Sequence, residues 1–213
     1  MLKLDMFALM VVSVSASVLT EHSNSLLRDL QDFVDLLDLD RVIHLTNTYY
    51  LNDQDFQSML EYMQSGEFSV VWNGFFGLAV IRDLGMYLIQ EGVPFYDYVD
   101  LVAYFIGQSP VNSRLEQHIN KTQHRSLKAY VDELFAMLPW SEWRNLYEVK
   151  QTSSEPFKSL IIKLRSVNYT ELKQFYQNTK ELRSFIHVLR CLGLDVELYE
   201  HYLMQFFHGL KLI

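Results

Sequence analysis

The chain has 213 residues, of which 49% are hydrophobic, 14% aromatic and 21% charged. This length suits one ordinary domain or two small ones, and the apolar content is sufficient for a sizeable core. The formal net charge is −8, and no stripe of lysine and arginine is present. We therefore expect no nucleic-acid partner and no electrostatic binding to an anionic lipid surface.

The N-terminus has the pattern of a secretory signal peptide. Lys3 precedes an apolar run over residues 6–14, and small residues follow it. Val14 and Ala16 suit the −3 and −1 positions of a signal-peptidase site, which predicts a signal peptide over residues 1–16. The run is too short for a membrane anchor. We expect a secreted, extracellular protein; the alternative is a buried or disordered N-terminal helix.

Two further features bear on the secretory pathway. Asn120 and Asn168 each begin an Asn-x-Thr sequon and are the predicted glycosylation sites. Cys191 is the single cysteine, so no internal disulfide can form. Its leucine-rich surroundings favour a buried, unreactive thiol.

The sequence repeats itself. The pattern Leu-x₃-Gly-x₅-Tyr occurs around Gly92 and again around Gly193, and a shift of 101 residues aligns the whole chain after the leader without a gap. The shift pairs many identical residues, including Leu37 with Leu138 and Phe56 with Phe157. We predict two copies, over residues 25–108 and 126–210, joined by a polar connector over residues 109–125. They are long and few, unlike the units of short solenoid repeats.

Each copy is predicted to form about six short helices. Leu26, Leu30 and Phe33 recur at helical spacing, whereas the period-two alternation of strands is hardly visible. The predicted fold class is all-α, with two tandem repeats of about six short helices each. Helix ends are indicated by capping residues and by Gly92, a predicted left-handed C-cap. The predicted N-caps are Ser25, Asp40, Asn52 or Asp53, and Ser141.

Twelve helices with one apolar face each must enclose a common interior. Methionine and aromatic residues are abundant on these faces, and methionine suits adaptable apolar surfaces. Periodicity alone favours an ordinary packed core, and it cannot distinguish a filled interior from a lined cavity.

Three stretches of the first copy resemble one unit of the insect allergen-related repeat family. They are "LLRDLQDFVDLLDLDRVIHL", "YYLNDQDFQSMLEYMQSGEF" and "YLIQEGVPFYDYV". The family includes the cockroach group 1 allergen, mosquito midgut microvillar proteins and a butterfly nitrile-specifier protein. The resemblance covers both copies and so nearly the whole mature chain.

The resemblance implies that the two repeats form one hollow helical capsule around an apolar cavity for fatty acids or phospholipids. It also implies a role in the insect midgut, in digestion or lipid transport, with transient membrane contact during lipid exchange. The positions that we expect to line the cavity are Phe33, Val34, Leu37, Leu45, Tyr49, Phe56, Met59, Leu60, Met63, Val71, Trp72, Phe75, Leu84, Leu88, Phe105, Leu134, Leu138, Trp143, Leu146, Phe157, Leu160, Leu164, Leu172, Phe175, Phe185, Leu189 and Phe206.

No catalytic constellation is visible in the sequence. The histidines are scattered, and the HExxH, GxSxG, GxGxxG and phosphate-loop motifs are absent. We expect a protein that is not an enzyme and carries no metal or cofactor. Two alternatives stay open: a specifier-like detoxification protein acting on plant defence compounds, and a structural protein of the gut lining without a ligand. The oligomeric state cannot be predicted from this sequence.

Overall fold

The computed structural model describes residues 25–108 and 126–209, and these segments contain twelve α-helices and no strand. The prediction of an all-α fold built from two six-helix repeats is confirmed. The predicted signal peptide, the connector with Asn120, and the side chain of Phe206 lie outside the described part of the chain. No described helix is long and apolar enough to cross a membrane.

The two repeats have matching helices. The first repeat contains α1 Ser25–Val34, α2 Leu39–Asn52, α3 Gln54–Met63, α4 Gly66–Gly77, α5 Ala79–Gln90 and α6 Phe95–Phe105. The second contains α7 Leu127–Met137, α8 Trp140–Ser153, α9 Glu155–Ser166, α10 Thr170–Asn178, α11 Lys180–Cys191 and α12 Val196–Gly209. At the 101-residue shift, α8 and α11 have the same bounds as α2 and α5.

Several helix starts are capped by side chains of the kind that the sequence indicates. The carboxylate of Asp53 accepts the N–H of Phe56 at 2.6 Å and caps α3, which confirms one of the two predicted residues. Ser154, at the equivalent position, caps α9 in the same way through the N–H of Phe157 at 3.3 Å. Each cap satisfies one of the N–H groups that a helix start leaves unpaired.

Two predicted caps are wrong. The cap of α2 is Asp38, whose carboxylate accepts the N–H of Arg41 at 3.1 Å, and Asp40 lies in the first turn of that helix. An acidic residue there still interacts favourably with the helix dipole. In the second repeat α8 begins at Trp140, directly after Pro139, so Ser141 lies inside the helix.

The two glycines of the repeated pattern end helices α5 and α11, as predicted for Gly92. Gly92 and Gly193 have φ angles of +78° and +83°, a left-handed conformation that favours glycine. The N–H of Gly92 donates to Ile89 and that of Val93 to Leu88, at 2.9 and 2.8 Å. These paired bonds satisfy the last carbonyls of α5 and turn the chain towards α6.

The repeats pack against each other with an approximate two-fold relation. Helix α1 contacts α8 and α9, and its equivalent α7 contacts α2 and α3. Helix α4 contacts α11, and its equivalent α10 contacts α5. Helices α4 and α10 are equivalent and contact each other, so they lie next to the axis that relates the repeats. Because most apolar faces are covered by the other copy, we infer that the repeats form one folding unit.

Candidate functional site

The candidate site is the inward apolar surface that the two repeats share. Among the positions predicted to line a cavity, no described side chain is exposed. The fully buried members are Leu45, Tyr49, Phe56, Leu60, Val71, Phe157 and Leu160, and the other described members are half-buried. The large apolar side chains that do face solvent, such as Leu51, Val149 and Ile162, lie at other positions. The described side chains of the predicted lining therefore lie on the covered sides of their helices.

The buried apolar residues of the described segments form four clusters, and shared half-buried side chains join them in pairs: Met63 packs on two of them and Leu164 on the other two. The largest joins Leu45, Tyr49, Phe56 and Leu60 of the first repeat to Leu127 of the second. Each of the other clusters has three buried residues, with half-buried apolar side chains packed around them. A domain of ordinary packing usually has one continuous core with smaller satellites. Here the buried residues lie along the helix seams, and half-buried apolar side chains connect them.

Aromatic residues connect the repeats across these seams. Phe33 of α1 stacks on Phe157 of α9 with ring centroids 5.6 Å apart. The indole N–H of Trp143 donates to the carbonyl of Phe33 at 2.9 Å. Tyr130 of α7 packs edge-on against Phe56 at 4.7 Å. The half-buried aromatic side chains of the inner surface are thereby fixed in place by contacts from both copies.

A polar pair holds each of two equivalent seams. In one, the hydroxyl of Tyr49 donates to Glu133 at 2.7 Å. In the other, the equivalent residue is Lys150, which bridges Asp32 and Asp29, the latter at 2.7 Å. Burial by itself lowers the pKa of Lys150, but the hydrogen bonds to the two carboxylates outweigh it and raise that pKa. We interpret both pairs as structural ties between the repeats.

The repeats approach most closely where α4 meets α10. A Cβ added to Gly74 would lie 2.8 Å from the ring of Phe175, its own equivalent in the second repeat. The Phe175 ring also lies 6.4 Å from that of Phe75. The glycine therefore makes room for the phenylalanine at the axis. The 101-residue shift, which pairs these two residues, was the sequence signal for this contact.

A cleft of about 250 Å³ opens between α5 and the turn that joins α9 to α10. The sequence did not indicate it, although Leu84 and Asn168 were both predicted to be functional. Its lining residues are Ala79, Val80, Asp83, Leu84, Lys163, Ser166, Val167, Asn168 and Glu171. The carboxylate of Glu171 accepts the N–H of Val80 at 3.2 Å and joins α10 to the start of α5.

Ligand-binding chemistry of other kinds finds little support in the described ranges. No group of three or more histidine, cysteine, aspartate or glutamate side chains there could hold a metal ion. The prediction of a buried thiol is wrong, since Cys191 is exposed, with its sulfur 3.6 Å from Nε2 of His187. Cys191 follows the half-buried Leu189 by two residues in α11. Two residues along a helix correspond to about half a turn, so Cys191 lies on the opposite, outer side.

Comparison with known proteins agrees with this architecture. The profile of the family described as "Insect allergen related repeat, nitrile-specifier detoxification" matches residues 25–199. The chain is also 35% identical, over 198 residues, to Protein G12 of Anopheles gambiae, a match that covers 92% of this chain and 94% of that protein. The matched range includes both six-helix repeats up to the start of α12. The chain belongs to the insect allergen-related repeat family.

Proposed function

We propose that this protein binds lipids with acyl chains, either fatty acids or phospholipids, in an apolar interior between its two repeats. The supporting observation is the incomplete covering of the inward side chains. Most of the predicted lining residues are half-buried, yet none of those described is exposed. Apolar side chains in a solid core pack at high density and are fully buried. Partly covered apolar side chains on the inner faces favour space for an apolar ligand.

The energetics favour an acyl chain as that ligand. An empty apolar cavity destabilises its lining by about 24 cal/mol per Å³, so an occupied interior is more stable than a vacant one. Each methylene moved out of water contributes about 0.8 kcal/mol, and ten of them about 8 kcal/mol before the loss of ligand freedom is deducted. Binding of this kind needs no specific polar contact. We expect selectivity for chain length and weak selectivity for head groups.

The proposed role is that of a secreted carrier in an insect midgut, linked to digestion or lipid transport. It needs no catalytic group, metal or cofactor. A protein that exchanges lipids with bilayers makes transient membrane contact, and it perturbs the membrane while it does so. Leakage of a dye from liposomes, measured with lipid-free and lipid-loaded protein, tests this part of the proposal; no leakage in either form contradicts it.

Lipid binding itself is tested by extraction and reloading. Purified protein is extracted with organic solvent, the released lipids are identified, and the stripped protein is titrated with a fluorescent fatty acid. We expect acyl lipids in the extract and saturable uptake afterwards. An extract without lipid, together with no uptake, contradicts the proposal and favours a structural role in the gut lining.

Two substitutions on α8 provide a matched control. Leu146 is half-buried and belongs to the predicted lining, whereas Val149 on the same helix is 56% exposed. Leu146→Trp adds bulk to the interior and should lower the amount of fatty acid bound. Val149→Trp adds similar bulk outside and should leave it unchanged. Equal capacity in both variants contradicts the assignment of the inner face.

A second candidate function comes from the family description, which names nitrile-specifier detoxification. A specifier-like protein diverts the breakdown of plant defence compounds to different products. The test is to analyse the products of glucosinolate breakdown with and without this protein. A shift towards nitriles supports this candidate, and an unchanged product pattern removes it.

A further inference from the structure

We propose that the cleft between α5 and the α9–α10 turn is the opening through which a single acyl chain enters the interior. This inference rests on the proposed lipid binding and names the route by which the ligand reaches its site. The two repeats are related by the 101-residue shift, so the cleft has an equivalent position in the other half of the molecule. The inference follows from comparing these two positions.

The equivalent place is closed by aromatic rings. The residues equivalent to Leu84 and Lys163 are Phe185 and Tyr62, whose rings stack with centroids 5.7 Å apart and planes inclined by 12°. Phe68 packs edge-on against Phe185 at 4.9 Å. The hydroxyl of Tyr62 also donates to Glu67 at 3.2 Å, which holds the ring in position. This seam is filled.

The cleft lacks that stack because its residues differ. Leucine replaces phenylalanine at position 84 and lysine replaces tyrosine at position 163, and a space of about 250 Å³ results. Tyr169, the equivalent of Phe68, instead donates its hydroxyl to the carbonyl of Leu164 at 2.9 Å, is 45% exposed and does not line the cleft. The opening is therefore a property of this sequence and not of the helix arrangement, which both halves share.

The lining of the cleft combines polar and apolar residues. Lys163, Asp83 and Asn168 line it together with Leu84 and Val80. Leu88, one helical turn beyond Leu84, packs against the buried cluster around Leu160. An acyl chain that enters tail first would meet leucine side chains along its path, while residues of both charge signs contact its head group. The rim holds one lysine together with the carboxylates of Asp83 and Glu171, so a zwitterionic phosphocholine group would find partners of both signs there.

The volume of the cleft suits an opening to the lipid-binding interior and is too small for the interior itself. Pockets that enclose drug-sized ligands measure about 300–1,000 Å³, and this cleft is smaller, at about 250 Å³, and partly open to solvent. It holds a segment of one chain, not a whole phospholipid. The remaining methylenes would then lie against the inner faces of the helices.

The test transfers the aromatic stack to the cleft. The variant Leu84→Phe with Lys163→Tyr places the residues of the closed seam at their equivalent positions. Ile162→Tyr, next to the cleft but 66% exposed, is the matched control. Stopped-flow mixing of stripped protein with a fluorescent fatty acid, and with a fluorescent lysophosphatidylcholine, gives the uptake rate for each head group. Equilibrium titration gives the amount bound.

Because Leu84 also belongs to the predicted lining, the double variant is judged by its rate: we expect uptake of both probes to slow by about tenfold or more. The control should match wild type in both measurements. Uptake by the double variant at the wild-type rate overturns the opening. A lower amount bound at an unchanged rate overturns it too, because the cleft would then belong to the interior. If wild-type protein binds neither probe, lipid binding itself is refuted. That result differs from the two results above, in which wild-type protein binds lipid but the cleft is not its opening.

Circular dichroism of the double variant checks its fold. If the variant does not fold, Ala79→Trp provides a second block, because Ala79 lines the cleft at an exposed position. The expected slowing and the contradicting result are the same for this variant.

Discussion

The contact between Gly74 and Phe175 allows a sharp test of how the two repeats meet. Replacing Gly74 with alanine adds a Cβ 2.8 Å from one ring carbon of Phe175 and 3.4 Å from another. Carbon atoms in favourable contact lie about 3.5–4.0 Å apart, so the ring or the helix must shift. The ring has little freedom, because it packs with the buried cluster around Phe68 and Val71.

Two effects of opposite sign determine the outcome. Alanine is favoured over glycine inside a helix by about 1 kcal/mol. Overpacking a filled site destabilises by about 1–3 kcal/mol. The net expectation for Gly74→Ala is a loss of about 1 kcal/mol, which in a domain of this size lowers the Tm by about 2–4 °C. Without the ring, the same substitution would stabilise the protein.

The control is Gly77→Ala, at the last residue of the same helix, where nothing lies within 4 Å of an added Cβ. We expect it to be neutral or stabilising by up to about 1 kcal/mol. Urea unfolding of both variants, each also in a Phe175→Leu background, measures the coupling. Removing the ring should convert Gly74→Ala from destabilising to stabilising, a coupling of about 1 kcal/mol or more. Equal stability of the two alanine variants would falsify the close approach of α4 and α10.

Three further predictions concern charge, pH and modification. Lys150→Ala leaves Asp29 largely buried without its cation. We expect the free energy of unfolding, measured with urea, to fall by about 2–3 kcal/mol. This is less than for a fully buried ion pair, because Asp32 is 40% exposed. Burial raises the pKa of Tyr130, so the folded protein holds a phenolic proton that the unfolded chain loses near pH 10; the stability that Tyr130 contributes should be constant below about pH 10 and should fall above it. Asn168 is exposed, so protein from a secretory host should shift in mobility after glycosidase treatment, and Asn168→Gln should abolish the part of that shift due to this site.

Each of these three predictions has a matched control variant. Lys158→Ala removes a cation whose partner Glu155 is 82% exposed, and it should change stability by less than about 1 kcal/mol; an equal loss in both lysine variants contradicts a special role for Lys150. Tyr130→Phe should make the fall above about pH 10 less steep without removing it, because burial also raises the pKa of other tyrosines, Tyr147 among them; an unchanged slope contradicts the assignment. Asn178→Gln, outside any sequon, should leave the glycosidase shift intact.

The sequence predicted the fold well because the fold depends on local patterns. Helices α2 and α5 reappear at the 101-residue shift with the same bounds, since the apolar spacing and the glycine stops are repeated. The two wrong caps, Asp40 and Ser141, differ from the observed starts by one or two residues. Several acidic or hydroxyl side chains near a helix start can accept its free N–H groups, and which one does so depends on the chain path.

The candidate site was only partly predictable for a different physical reason. Helical spacing identifies which side of a helix is apolar, but the extent to which a side chain is covered depends on the helices that pack on it. The tie between Lys150 and Asp29 joins residues 121 positions apart, and no local pattern indicates it. The cleft likewise depends on Leu84 and Lys163 meeting across a seam between repeats.

Native mass spectrometry of the purified protein, before and after solvent extraction and after reloading with a fatty acid of known mass, tests lipid binding most directly. We expect the purified protein to carry extra mass that extraction removes, and the reloaded protein to gain whole multiples of the fatty-acid mass. A single mass, that of the bare chain with any glycan, in all three samples would contradict the account.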